Sequence, residues 1–211
     1  MSLLQTIAQA VIDGDEVAAA KHVQEALDRN LSAKQILDEG LLTGMTEVGR
    51  RFRGGEYFIP EVLIAAEAMK AGMNLLRPAM LKQGVKAGAT AIIGTVRGDL
   101  HDIGKNLTVT MLEGAGFEVV DLGVDVPPER FVQACRERDV KLVAMSALLT
   151  TTMPEMAQTV KKLREELAPT PKIIVGGAPV TQNYADEIGA DGYGMDAASG
   201  ADLAKRLCGL N

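Results

Sequence analysis

The sequence is poor in aromatic residues, histidine and cysteine. Phe, Tyr and Trp together make up 3% of its 211 residues, and tryptophan is absent. A core must therefore come from Ala, Val, Leu, Ile and ten methionines, which a hydrophobic content of 47% permits. Cys135 and Cys208 lie far apart with no CxxC spacing, so they read as reduced thiols rather than a disulfide frame or a zinc site. A formal charge of −6 argues against the basic patch that nucleic-acid binding requires. No basic-then-apolar segment opens the chain, and no apolar run is long enough to span a bilayer. The expectation is a cytoplasmic protein with neither a membrane nor a nucleic-acid partner.

Two periodicities divide what is there. Residues 1–83 repeat apolar side chains at helical spacing, as in Leu3, Leu4, Ile7, Ala8, Val11 and Ile12. Asp13-Gly14-Asp15 breaks that helix, Ser32 with Gln35 forms a capping box for a third, and Gly54-Gly55 ends it. Pro60 sits in the first turn of a fourth. These segments predict an antiparallel four-helix bundle. The polar, glycine-containing stretch from Lys82 to Gly88 reads as a linker and a hinge.

Residues 89–211 alternate short apolar runs with helical stretches. Strands are expected at Thr90–Thr95, Glu118–Leu122, Leu142–Ser146, Lys172–Val175 and near Asp191–Tyr193. The intervening helices are expected at about 104–115, 128–138, 154–167, 180–188 and 198–208. Alternating β and α elements predict an α/β domain with a five-stranded parallel sheet of flavodoxin-like (Rossmann-like) order, whose ligands sit at the carboxyl ends of the strands.

Unusual residues collect at those ends. The first strand runs into Gly98-Asp99-Leu100-His101-Asp102-Ile103-Gly104, which holds one of only two histidines. A histidine two residues from a carboxylate is a metal ligand held by its outer shell, or a loop histidine bonded to that carboxylate. The third strand leads into Ser146–Thr152, rich in small hydroxyl residues, and the fourth into Gly176-Gly177, which leaves space for a large flat ligand. The fifth leads through Tyr193 to Ala197. The other histidine, His22, has no ligand partner at useful spacing and reads as a bundle residue. Asp121 and Asp125 show no catalytic geometry, and the charged run at 161–166 is a solvated helix face.

Asp99-x-His101-x-x-Gly104, Ser146-x-Leu148 and Gly176-Gly177, in this order, resemble the cobalamin-binding signature of corrinoid proteins. The helical half, with Tyr57-Phe58-Ile59-Pro60-Glu61 and the methionine-rich helix after it, is similar to the cap domain of the methyl-transferring members. In length and layout the chain is most similar to the stand-alone corrinoid proteins of methyltransferase systems, with the cobalamin module of methionine synthase as a larger relative.

The resemblance implies a cofactor, cobalamin (methylcobalamin or a related corrinoid), and a role for each residue. His101 would be the lower axial ligand to cobalt, replacing the cofactor's own base. Asp99 would hold the other ring nitrogen, and Thr152, where methionine synthase has serine, would continue a proton relay. Gly98, Leu100, Asp102, Ile103 and Gly104 would shape the binding turn. Ser146, Leu148 and Thr150 would meet the nucleotide tail or the corrin edge, Gly176 and Gly177 would line the tail's slot, and Tyr193 and Ala197 would lie near its base. Phe58, Met69 and Met73 would shield the upper face.

The resemblance further implies a methyl carrier in one-carbon metabolism that is not a complete enzyme alone. Its transient partners would be a substrate:corrinoid methyltransferase, a corrinoid:acceptor methyltransferase using tetrahydrofolate or a thiol coenzyme, and a reductive activase. The absence of a zinc-binding cluster that could activate a thiol agrees with a carrier. The rival readings are the cobalamin subunit of an adenosylcobalamin mutase and a cobalamin-dependent sensor. No basic amino-terminal module favours the latter.

Overall fold

The computed structural model describes residues 1–85 and 88–210. Its internal contacts divide the chain into two units, residues 1–87 with 114–116 and residues 88–113 with 117–211. Of the expected linker, Lys86 and Ala87 lie outside the described residues.

The first unit is helical. Ser2 caps α1 (Leu3–Ile12) in a reciprocal capping box with Gln5, and Asp15 caps α2 (Glu16–Asp28) by accepting the Ala18 N–H. Ser32 opens α3 (Ala33–Gln35), which runs through a π-helical turn (Ile36–Leu42) into α4 (Thr43–Arg53). Nothing in the apolar periodicity foretells that π turn, because Ile36, Leu37 and Leu41 are buried across it as an α-helix would bury them. Helix α5 (Ile59–Lys82) carries Pro60 in its first turn, where the missing N–H is no loss. Ile7, Val11, Val23, Ile36, Leu41 and Leu76 are wholly buried and fill this unit without an aromatic ring.

The second unit is a parallel sheet of order β2-β1-β3-β4-β5. Its strands are β1 (Thr90–Thr95), β2 (Glu118–Asp121), β3 (Val140–Ser146), β4 (Lys172–Gly176) and β5 (Gly192–Gly194). They alternate with α6 (Ile103–Gly114), α7 (Pro128–Arg136), α8 (Met153–Glu166), α9 (Gln182–Glu187) and α10 (Ala197–Cys208). One sheet face packs through Ile92, Val143 and Ile173 on Phe131, Met156 and Leu163 of α7 and α8. The strand order reverses between β1 and β3, and the crevice at such a switch point is where open α/β sheets bind ligands.

Registered rows across the other face explain why a cleft forms there. One row runs Ile93, Ala144, Ile174, Gly192, and the next, at the carboxyl edge, runs Thr95, Ser146, Gly176, Gly194. Side-chain volume falls along the edge row toward β5. A cleft of about 180 Å³ opens in that space, with Gly104 and Thr108 of α6 and Ala197 and Gly200 of α10 among its lining residues.

Candidate functional site

The turn after β1 is built around Asp99. Gly98 adopts a left-handed φ of +79°, which glycine reaches without strain, and turns the chain so that the Asp99 side chain is wholly buried. Asp99 Oδ1 lies 2.7 Å from His101 Nδ1 and accepts the His101 N–H at 3.1 Å. Asp99 Oδ2 accepts the N–H groups of Leu148 at 2.8 Å and Leu149 at 3.3 Å, both from the loop after β3. The Thr152 hydroxyl lies 2.8 Å from the same oxygen and 2.9 Å from the Leu149 carbonyl. Its single proton goes to the carboxylate, because a charged acceptor makes the stronger bond.

Burial alone would raise the Asp99 pKa. The hydrogen bonds from the His101 ring, the Leu148 and His101 N–H groups and Thr152 outweigh that and hold the carboxyl well below the usual carboxylate range. An ionised carboxylate only accepts hydrogen bonds, so Nδ1 carries a proton, and in the neutral ring the lone pair is the one on Nε2. The His101 side chain is 51% exposed, and the Thr95 hydroxyl fixes its carbonyl at 2.9 Å.

The surroundings suit a broad flat group. Leu100, Ile103, Leu148 and Leu149, neighbours of the Asp99–His101 pair in the two loops, are exposed, as is Met195 on the cleft. A Cβ added to Gly104 would meet nothing within 4 Å, so no protein packing demands glycine there. Gly177 differs: its φ is +123°, and a Cβ would fall 1.9 Å from the Ala147 carbonyl oxygen. Among the described residues no three His, Cys, Asp or Glu side chains gather to hold a metal ion. One free imidazole nitrogen beside an apolar fringe and a cradle of small residues therefore fits a metal that brings most of its own ligands, as a cobalt corrinoid does.

The structure brings most of the expected residues together. Asp99, His101, Leu148 and Thr152 form the hydrogen-bonded centre, while Gly104, Ser146, Gly176, Gly177 and Ala197 line the cleft. Asp102 binds the α6 residue Asn106, which donates its N–H to the Asp102 carbonyl at 2.7 Å.

Two residues of the sheet unit sit elsewhere. Tyr193 packs with the core under α7 and α8, because strand alternation turns it to the face opposite Gly192 and Gly194. Thr150 is exposed and does not line the cleft; the loop turns Thr152 inward instead. In the helical unit Phe58 is exposed, Met73 partly so, and Met69 is buried. Thr95 and Asp125 also grip the turn, although the sequence marks them only as a strand end and a loop acid.

Comparison with known proteins identifies the family. Residues 89–202 match a B12 binding domain family, and residues 3–77 match a second family of the same description. A trimethylamine corrinoid protein of Methanosarcina acetivorans is 46% identical over 191 residues, covering 89% of this chain and 88% of its own. The crystal structure of a cobalamin-binding protein from Desulfitobacterium hafniense matches with a TM-score of 0.82 at 39% identity, over 97% of this chain and 98% of that one. A chain of the methanol:cobalamin methyltransferase complex from Methanosarcina barkeri matches with a TM-score of 0.81 at 28% identity, over 99% of this chain and 80% of that one. The chain belongs to the B12-binding corrinoid proteins. Its cofactor is accordingly a cobalamin-type corrinoid.

Proposed function

We propose that this protein is a methyl carrier of a methyltransferase system, holding its corrinoid with His101 as the lower axial ligand and the cofactor's own base displaced. The observation that carries the reading is the His101 imidazole, half-exposed at the switch point with Nδ1 on a buried, ionised Asp99 and Nε2 open. The cofactor's cobalt supplies the site that takes and gives the methyl group. The chain's residues do the rest. Asp99 fixes the tautomer and the ring plane and raises the basicity of Nε2. Thr152 and the Leu148 N–H hold Asp99 in place. The small residues of the cleft would receive the displaced nucleotide tail.

A carrier needs a methyltransferase that loads it, a second that unloads it, and an activase that restores a reduced cobalt. The names of the trimethylamine relative and of the methanol:cobalamin complex point to small methylated substrates on the loading side. The work is cytoplasmic and belongs to one-carbon metabolism. As a test, the apo chain is mixed with methylcobalamin at neutral pH and followed by absorbance. The protein should take up the cofactor with the absorbance of a nitrogen-ligated cobalt, His101→Ala should lose that absorbance, and Asp99→Asn should weaken uptake roughly 10–100-fold. Uptake with the cofactor's own base still on cobalt would overturn the reading.

A further inference from the structure

Asp125 is a non-glycine residue in the left-handed region, with φ +53°. An aspartate there is uncommon and mildly strained, so something must hold it. Two bonds to the histidine-bearing turn do so, in opposite directions. Its Oδ1 accepts the Gly98 N–H at 2.6 Å, and its own N–H donates to the Asp99 carbonyl at 3.0 Å. They bracket the Gly98–Asp99 peptide, from the amide of one residue to the carbonyl of the next.

The loop after β2 is also laced to β1 on either side of Asp125. The Thr95 N–H donates to the Gly123 carbonyl at 3.0 Å, and the Val126 N–H to the Thr95 carbonyl at 2.9 Å. Asp125 thus stands on a backbone ladder that continues past the ends of the two strands. The Asp99 side chain is gripped by the loop after β3, while Asp125 grips the Asp99 backbone from the loop after β2.

We propose that Asp125 is a positioning residue for the axial ligand. It fixes the peptide from which Asp99 projects, and through Asp99 the plane and firmness of the His101 ring. This rests on the corrinoid-carrier reading only for the group that His101 meets. Three substitutions separate the physical causes. Asp125→Asn keeps an acceptor oxygen and tolerates the left-handed conformation but removes the charge. Asp125→Gly keeps the conformation without strain and removes the acceptor. Asp125→Ala removes the acceptor and disfavours the conformation.

Two readouts are taken on the full chain. Exchange of the Gly98 amide is followed in the apo protein. In the protein loaded with cobalamin and reduced to Co(II), electron paramagnetic resonance gives the fraction of cobalt coupled to a protein imidazole. Asp125→Asn should match the wild type in both. Asp125→Gly and Asp125→Ala should exchange the Gly98 amide about tenfold faster and lose part of the imidazole coupling. If Asp125→Ala does not fold, Asp125→Gly gives the answer alone. Wild-type protection and coupling in Asp125→Gly would overturn the inference, and so would an Asp125→Asn as impaired as Asp125→Gly. A wild type without imidazole coupling would remove the histidine-ligand reading, while Gly98 exchange would still decide whether Asp125 grips the turn.

Discussion

At the scale of single residues, the site separates groups demanded by the fold from groups that leave room for a ligand. Gly177 and Gly104 look alike in the sequence, and both fall in the signature. A side chain at Gly177 would collide with the Ala147 carbonyl, whereas one at Gly104 meets open space. Gly177→Ala should therefore destabilise the apo protein by more than about 2 kcal/mol, seen as an earlier urea midpoint. Gly104→Leu should leave that midpoint nearly unchanged and abolish cobalamin uptake. Uptake by Gly104→Leu at wild-type affinity would contradict the placement of the cofactor.

Asp99, His101 and Gly176-Gly177 are legible in the sequence because they stand at fixed spacing around one of only two histidines. Asp125 is not, because its role lies in a backbone φ and two bonds to a turn 27 residues away in sequence for the Gly98 contact. The face that Tyr193 takes is not legible either, because β5 has only three residues and its alternation registers only against its neighbour β4.

At the scale of elements, the strands were legible because each is an apolar run between turn residues; the observed β1 has the expected bounds, Thr90–Thr95. The π turn was not, since it changes hydrogen bonding but not which residues are buried. The far edge of the sheet depends on Asp191. It accepts the Ile173 N–H at 2.8 Å and bonds from Arg164 at 2.7 Å and Lys172 at 3.3 Å, tying β4 and α8 to the turn before β5.

Burial would raise the Asp191 pKa, but the Ile173 N–H and the Arg164 guanidinium overcome it and set it below the ordinary value. A depressed folded pKa gives stability that is fully present above the unfolded value of about 3.9 and fades as pH falls through the folded one. Asp191→Asn should lower stability at neutral pH by about 1–2 kcal/mol. The gap from wild type should close as pH drops below about 4. Urea midpoints of both proteins across that range check this; a gap independent of pH would contradict it.

At the scale of the whole molecule, the change from helical to alternating periodicity near residue 83 is visible in the spacing of apolar residues, and both halves match B12 binding families. On the carrier reading proposed above, the turn and cleft hold the cofactor and the partner methyltransferases do the transfer. The loaded protein alone should therefore hold its methyl group in the presence of a thiol or tetrahydrofolate. It should release the methyl at a useful rate only when an acceptor methyltransferase is added, as followed by the cofactor's absorbance. Rapid demethylation without a partner would show a complete enzyme instead of a carrier.

The central claim is that His101 is the cobalt's lower ligand, and nitrogen coupling in the Co(II) state tests it most directly. The protein is produced with ordinary and with ¹⁵N-labelled histidine, loaded with unlabelled cobalamin, and reduced. The account predicts that the axial nitrogen splitting changes from triplets to doublets on labelling and disappears in His101→Ala. Triplets that persist in the labelled protein would assign the ligand to the cofactor's own base and contradict the account.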